Sequence, residues 1–395
     1  MEKNIKDHQE RLVSNSINIR VLGIPIYSKK IVIESNDVLY EPKDNLKETI
    51  SYIIFNLKVL ERVFEYEIFS YFLFGRLIKK VNLLDIFYSQ FLKKSSAEFH
   101  DVILLSNTGT GEAFTFITYL AKAFIRKNNL KNILFICPRE FQTNILRMYL
   151  PDANYIFANK FFDYTRFNKC TIWYDLSKYG KGKMFVYSAT RSDKWSTRFG
   201  SSSFEHQLHY VDLDNNDVIK PKAYISEEIK NSALKKADRL TLNLNNFVIF
   251  APEANSFKKI PVEFWKRLAV VVKNKGYDIL LNLINEKHYI EGCKTVKLTH
   301  SEIFELALHA KVFISARSGF SETLLPSNVP CLTIYRRLIG EPYFHNIGID
   351  GAKLLKWPFV DENITRDIDF NLTKNIDELL EQAINDFDYL VNIAN

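Results

Sequence analysis

The sequence predicts an α/β protein built on two open, mostly parallel sheets facing across a cleft, with an N-terminal helical extension. Two segments carry that expectation. The first is Val102 to Glu112, an apolar run that ends in the turn Thr108-Gly-Thr-Gly111 and a carboxylate, Glu112, where a helix should open. The second is Asn246 to Tyr335, in which Phe247-Val-Ile-Phe250 and Val312-Phe-Ile-Ser315 each break into a polar turn before a helix. Open α/β sheets hold ligands at such turns, beyond the carboxyl ends of their strands.

Bulk properties narrow the class. At 395 residues the chain is long for one core and suggests two or three domains. Hydrophobic residues at 47% and charged residues at 25% give the ordinary globular balance, which excludes a disordered or fibrous chain. A formal charge of +7 is modest for this length; it permits an anionic ligand or membrane surface and does not imply nucleic acid. Cys137, Cys170, Cys293 and Cys331 form no CxxC pair, which reads as free thiols in a reducing compartment. No uncharged run approaches the roughly 18 to 20 residues of a membrane span, and the first ten residues lack the apolar core of a signal peptide. A cytoplasmic protein is expected, with the inner membrane face as a possible address.

The elements follow in order. Residues 1–100 are expected to form one or two β-hairpins between Ile17 and Leu39 and then helices. Ile50, Ile53, Ile54, Leu57, Leu60 and Val63 recur at helical spacing, and the aromatic and basic run Phe69 to Lys80 suits either a packed helix or a peripheral membrane contact. Residues 101–220 alternate strand and helix in the βαβ grammar of a Rossmann-type domain: Val102 to Leu105, Ala113 to Lys127, Asn132 to Ile136, Glu140 to Tyr149 and Tyr155 to Phe157. Residues 221–245 are polar and helix-prone and read as a linker. Residues 246–365 restart the grammar as a second Rossmann-type domain. The amphipathic tail, 366–395, carries Ile376, Leu379, Leu380, Ala383, Ile384 and Phe387 on one side as a closing helix.

Three turns carry candidate chemistry. Glycines at Thr108-Gly109-Thr110-Gly111 let the backbone turn tightly against a ligand, and Glu112 can take a proton from a hydroxyl nucleophile; the same residue also suits a helix start. Ser256, Lys258 and Lys259, after the strand Phe247 to Phe250, offer a hydroxyl and two cations to a diphosphate. Arg317, Ser318 and Gly319 repeat the device after the next central strand, with Glu322 placed to bond a ribose hydroxyl or to begin a helix.

These residues carry a resemblance. Asn246 to Tyr335 is similar to the nucleotide-sugar domain of bacterial heptosyltransferase-like glycosyltransferases, the ninth glycosyltransferase family, which has the GT-B fold of two Rossmann-type domains. Lys258-Lys-Ile-Pro261 stands where that family has Lys-Arg-Trp-Pro, Arg317-Ser-Gly319 where it has Asp-Ser-Gly, and Asn328-Val-Pro330 where it has Gly-x-Pro. Gly111-Glu112 resembles the family's Gly-Asp turn, whose Asp is taken as the base. The resemblance spans roughly Asp101 to Tyr335. It implies inverting, metal-independent transfer of a sugar from a nucleotide-sugar donor to a bacterial surface glycan or lipid-linked acceptor. In that scheme Glu112 is the base, Lys258, Lys259 and the Ser318 and Gly319 amides hold the departing diphosphate, and no cofactor is needed. An inactive sugar- or nucleotide-binding relative is the alternative.

A rival motif set is weaker. Thr108-Gly-Thr-Gly111, Cys137-Pro-Arg-Glu140 and Ser188-Ala-Thr190 resemble superfamily-two helicase motifs, but a phosphate loop needs Gly-Lys-Ser/Thr and Gly111 is followed by Glu112 and Ala113. The DxD strings Asp212-Leu-Asp214, Asp367-Ile-Asp369 and Asp386-Phe-Asp388 look like chance in an Asp-rich chain. His206, His209 and His345 show no metal-ligand spacing.

Overall fold

The computed structural model describes residues 13–21, 24–35, 46–54, 57–65, 68–73, 76–96, 98–106, 110–158, 173–187, 202–254, 259–283, 289–336, 353–370 and 375–394. The chain opens with an antiparallel sheet of six strands paired in sequence order: β1 (Val13–Val21), β2 (Ile24–Ser35), β3 (Leu46–Ile54), β4 (Leu57–Glu65), β5 (Ile68–Leu73) and β6 (Arg76–Asn82). The helices expected between Asn45 and Asn82 are therefore corrected to strands. Only two residues separate β3 from β4, β4 from β5 and β5 from β6, so no run is longer than 9 residues. In runs that short, residues such as Ile50, Tyr52 and Ile54 also alternate with period two, and β-branched and aromatic side chains favour the pleated form. The stretch from Phe69 to Lys80 lies on β5 and β6, not on a surface helix.

Asn82 then caps α1 (Leu83–Phe87), its side chain accepting from the amides of Leu84 at 2.7 Å and Asp85 at 3.3 Å, and a π-helical turn, Tyr88–Leu92, continues it. After β7 (Val102–Leu105) come α2 (Thr110–Thr115), a second π-helical turn (Phe116–Leu120) and α3 (Ala121–Lys127). Next are β8 (Leu134–Cys137), α4 (Glu140–Tyr149), β9 (Asn154–Phe157), β10 (Trp173–Asp175) and β11 (Lys183–Tyr187). These strands form one sheet in the order β10-β11-β7-β8-β9, parallel except at the edge strand β10. Val102 to Leu105 and Leu134 to Cys137 are buried throughout, as parallel strands covered on both faces must be. Leu84, Phe87 and Leu92 pack into a core with Val102, Leu104, Leu134, Ile136, Met184 and Val186.

The remaining elements are α5 (Ser203–Tyr210), α6 (Glu227–Arg239), β12 (Phe247–Ala251), α7 (Val262–Asn274), β13 (Asp278–Asn282), β14 (Lys294–Val296), α8 (His300–Ala307), β15 (Val312–Ala316), α9 (Gly319–Glu322), β16 (Cys331–Tyr335), β17 (Thr365–Asp369) and α10 (Ile376–Ala394). Their strands form a wholly parallel sheet in the order β14-β13-β12-β15-β16-β17. Its core joins Val248, Phe250, Ile314 and Leu332 to Phe264, Trp265 and Leu268 of α7 and to Leu379, Ala383 and Phe387 of α10. The sequence patterns had not marked β10, β11, β14 and β17. The edge strands β10, β14 and β17 are only partly buried, so no continuous apolar run announces them, while β11 begins at the end of the basic, glycine-containing stretch Lys178 to Lys183, which reads as a loop.

The described chain divides into two compact units. One comprises residues 1–107, 132–138 and 154–187, with the antiparallel sheet and the sheet of β7 to β11. The other comprises residues 108–131, 139–153 and 188–395, with α2 to α4 and everything from α5 onward. Among the described residues no helix is long and apolar enough to cross a membrane, and no group of three or more His, Cys, Asp or Glu could hold a metal ion. Cys137 and Cys331 are buried free thiols, and Cys293 is a partly buried one.

Among the described residues Trp265 is the largest fully buried side chain, edge-on to Phe250 at 5.9 Å and to Phe264 at 5.2 Å. Trp265→Ala should cost about 3–5 kcal/mol and Trp265→Phe clearly less, measured by denaturant unfolding followed through the α7/α10 core.

Candidate active site

The strand order of the last sheet creates one crevice by topology. From β12 the chain moves outward through β13 and β14, then returns to the other side of β12 as β15 and continues through β16 and β17. The loops leaving the adjacent strands β12 and β15 therefore diverge, and an open α/β sheet binds ligands at such a switch point. The loop after β12 contains Ser256, Lys258 and Lys259; the loop after β15 is Arg317-Ser318-Gly319. Ala251 and Ser315, near the ends of these strands, are direct partners in the ladder. The ends of two strands whose following turns lie about 60 residues apart in sequence are thereby neighbours.

Ser256 and Lys258 lie outside the described residues, as do Thr108 and Gly109. Thr110 begins α2. Lys259 is exposed, and its carbonyl accepts a hydrogen bond from Arg336, which follows β16 and lies over the Phe370 ring at 4.9 Å. Ser318 and Gly319 are half-buried at the start of α9. There the Ser321 hydroxyl accepts from the Ser318 amide at 3.0 Å and donates to the Ser318 carbonyl at 2.6 Å, which closes the turn.

Arg317 points inward. It is 4% exposed, donates to the Ser318 carbonyl at 2.7 Å and to the Glu322 carboxylate, and lies over the Trp357 ring at 5.2 Å. Burial alone would lower its pKa, but the charges of Glu322, Tyr335 and Asp367 and the Glu322 hydrogen bond raise it instead. Glu322 is 5% exposed. One of its oxygens pairs with Arg317, and the other, Oε2, is buried without a hydrogen-bond partner. Desolvation pushes Glu322 up to about 7 against the pull of Arg317, and the charge of Glu112 adds to the rise.

Glu112 belongs to this cluster because α2 packs on α9. The contact is close enough that a Cβ on Gly111 would run into the Glu322 carboxylate, so this position accepts only glycine without rearrangement. Glu112 itself is half-buried. Directly after α2 the π-helical turn carries Tyr119, whose phenol is raised by burial and by the Glu322 charge. Its ring lies edge-on to Phe114 at 5.9 Å and Phe204 at 5.7 Å, and stacks on Phe359 at 6.5 Å. The structure thus brings Gly111, Glu112, Arg317 and Glu322 together.

Three neighbours had no signal as a motif, Tyr119, Tyr335 and Trp357, and a fourth, Asp367, had been set aside as a chance DxD string. Tyr335 accepts from the Leu354 amide at 2.7 Å through its hydroxyl, and Asp367 accepts from the Leu355 amide at 3.2 Å. Burial raises Asp367 to about 6. The string Asp367-Ile-Asp369 is therefore part of a strand beside Arg317. The signal that would have found it is a charged residue within the period-two pattern of β17.

The two mostly parallel sheets match the GT-B fold found among glycosyltransferases. No family model and no curated protein sequence matches the chain. Among solved structures, the fold is similar to that of a glycosyl transferase family 9 protein from Veillonella parvula, at 12% identity, covering 76% of this chain and 99% of that one with a TM-score of 0.51. Also similar are the E. coli heptosyltransferase WaaC with ADP-2-deoxy-2-fluoro heptose, at 13% identity over 73% of this chain and 98% of that one (TM-score 0.42), and the E. coli ADP-heptose lps heptosyltransferase II, at 11% over 75% and 100% (TM-score 0.40).

Gly111→Ala should destabilise the chain by about 1–3 kcal/mol, as overpacking does, and Glu322→Ala should relieve part of that cost in a double-mutant cycle read by thermal unfolding. A pH effect follows from Glu322, whose folded value of about 7 lies above its ordinary 4.5. The folded chain keeps a proton there that the unfolded chain has released, so this contribution is full below about 4.5 and is lost as pH rises through about 7. Glu322→Gln should flatten that part of the stability-against-pH curve.

Proposed function

We propose that the protein is a glycosyltransferase that moves a sugar from a nucleoside-diphosphate donor to a glycan or lipid-linked acceptor. The observation that carries this reading is the meeting of α2 and α9. It puts the turn Gly111-Glu112 against the helix that follows the β15 loop, so the candidate base and the candidate donor loop share one cluster. The similarity in fold to a family 9 glycosyl transferase supports the same class.

In this scheme the donor diphosphate lies at the switch point between β12 and β15. Lys258 and Lys259 supply positive charge, Ser256 a hydroxyl, and Ser318 and Gly319 backbone amides, so that the leaving group departs into fixed donors. Arg317 acts from beneath this loop, since its guanidinium is engaged by Glu322 and the Ser318 carbonyl. Glu112 removes the acceptor proton as the acceptor oxygen attacks the anomeric carbon from the side opposite the departing diphosphate, which inverts the configuration there. Protein cations and amide dipoles take the place of a metal. An acceptor carried on lipid would bring the protein to the inner face of the membrane.

A second reading, a nucleotide-binding relative without turnover, is favoured by the inward turn of Arg317, which leaves its charge answered within the protein.

Isothermal calorimetry with ADP, GDP, UDP and CMP should find one nucleotide that binds, and Lys259→Ala should weaken it. Binding to none of the four would sink the donor site. With the matching sugar nucleotide, Glu112→Gln should lower the transfer rate about 10²- to 10⁴-fold with little change in donor affinity. Binding without transfer over a broad acceptor panel would select the second reading.

A further inference from the structure

Phe359, between β16 and β17, combines two features that a folded chain avoids. Its backbone is left-handed, at φ 64°, and its side chain is 50% exposed. A residue with a Cβ is strained in that conformation, and Asn and Asp tolerate it best. Among the described residues the other non-glycine positions that adopt it are Asn129, Asn132, Asp212, Thr241 and Asn328. Phe359 is the one aromatic residue in the set. Burial does not account for it, because half of the side chain stays in water. Strained residues of this kind cluster at ligand clamps and active sites.

What backs the ring is the candidate site. Phe359 lies nearly parallel to Tyr119, with 12° between the planes and 6.5 Å between the centroids, and Tyr119 lies edge-on to Phe204 at 5.7 Å. Phe204 in turn meets Trp357 at 6.3 Å, and the Arg317 guanidinium lies over the Trp357 ring at 5.2 Å. Tyr119, Phe204 and Trp357 are buried, so three fixed rings support a fourth that reaches solvent. The cluster is not purely apolar. Trp357 Nε1 and Glu322 Oε2, both buried, have no hydrogen-bond partner.

We propose that Phe359 is the stacking platform for a sugar ring of the acceptor glycan. The C–H groups on one face of a sugar ring carry partial positive charge and fit the negative face of an aromatic ring, while the hydroxyls around it need polar partners. An open aromatic ring set among carboxylates, a guanidinium and an indole N–H suits such a molecule better than it suits an apolar one.

The position selects the acceptor over the donor. Tyr119 follows α2, the helix of the candidate base Glu112, whereas the candidate diphosphate lysines lie after β12. From Glu112 to Tyr119 the helical run advances about 10 Å. Phe359 therefore serves a sugar beside the one that carries the reacting hydroxyl, and it acts in acceptor recognition, not in the chemical step. The acceptor role rests on the glycosyltransferase reading; the sugar contact itself does not.

The test uses the full chain on a printed array of bacterial surface mono- and oligosaccharides, followed by calorimetry with each sugar retained. Wild-type protein should retain oligosaccharides in preference to their single sugars. Phe359→Ala should weaken that binding about tenfold, and Phe359→Trp, which keeps a ring, should restore most of it. Neither change should alter nucleotide affinity. Phe359→Asn separates recognition from packing: asparagine accepts the left-handed backbone, so the melting temperature should match or exceed that of the wild type while sugar binding falls. The platform is overturned by an array on which no sugar is retained, by sugar binding indifferent to Phe359→Ala, or by a large fall in melting temperature in Phe359→Asn, as for a lost core ring. Weaker nucleotide binding in Phe359→Ala would also overturn it and make the ring a nucleobase contact. Intact nucleotide binding without Phe359-dependent sugar binding removes this inference alone. Phe359-dependent sugar binding without any nucleotide binding removes the transferase reading and leaves the sugar contact standing.

Discussion

A buried guanidinium is the constraint to which the candidate site answers. Arg317 stays charged at any pH the fold survives, and at 4% exposure it has almost no water to solvate it. Charge neutralisation must come from within, and it comes from three elements: Glu322 at the end of α9, Asp367 on β17 and the carbonyl of Ser318, with the Trp357 ring below. The position of each follows from the same requirement. Seating Glu322 beside Arg317 pushes its carboxylate toward α2, and that in turn allows no side chain at position 111. One buried cation thus ties together a strand end, a helix and a glycine about 200 residues earlier in the chain.

The parallel sheet explains why that cation sits where it does. β15 is a central strand, flanked by β12 and β16 and buried at every position, so the residue that follows it emerges from the apolar interior straight into the switch-point crevice. An arginine in that place has two options, to reach out to an anion or to fold back on an internal one. Here it folds back. On the proposed reading the positive charge for a donor phosphate falls to Lys258 and Lys259, while the Arg317 guanidinium is engaged by Glu322 and the Ser318 carbonyl.

Much of this was legible before any coordinates. Val102–Leu105, Asp278–Asn282 and Cys331–Tyr335 have the bounds their apolar runs and turn residues predict, because a buried parallel strand needs an unbroken apolar run and the next polar turn ends it. The residues 46–82 were misleading for a related reason. Apolar residues three and four apart satisfy a helix, yet several of the same residues two apart satisfy a strand, and only the short intervals between turns decide which period wins. For the site, the three loops could be found from their glycine, serine and basic residues. The inward turn of Arg317 could not, because Arg-Ser-Gly reads as a phosphate loop when no partner is in view.

From sequence alone came the class of fold, most of the central strands and the turns that are candidates for chemistry, since those depend on local periodicity and on residue types next to each other. Tertiary structure alone decided which of those turns meet, that Asp367, Tyr335 and Trp357 surround Arg317, and that Glu112 and Glu322 act on one another. Those facts depend on strand order and on helix packing. Both are set by how distant apolar surfaces are buried together, and pattern within a segment holds no record of which distant surface will cover it.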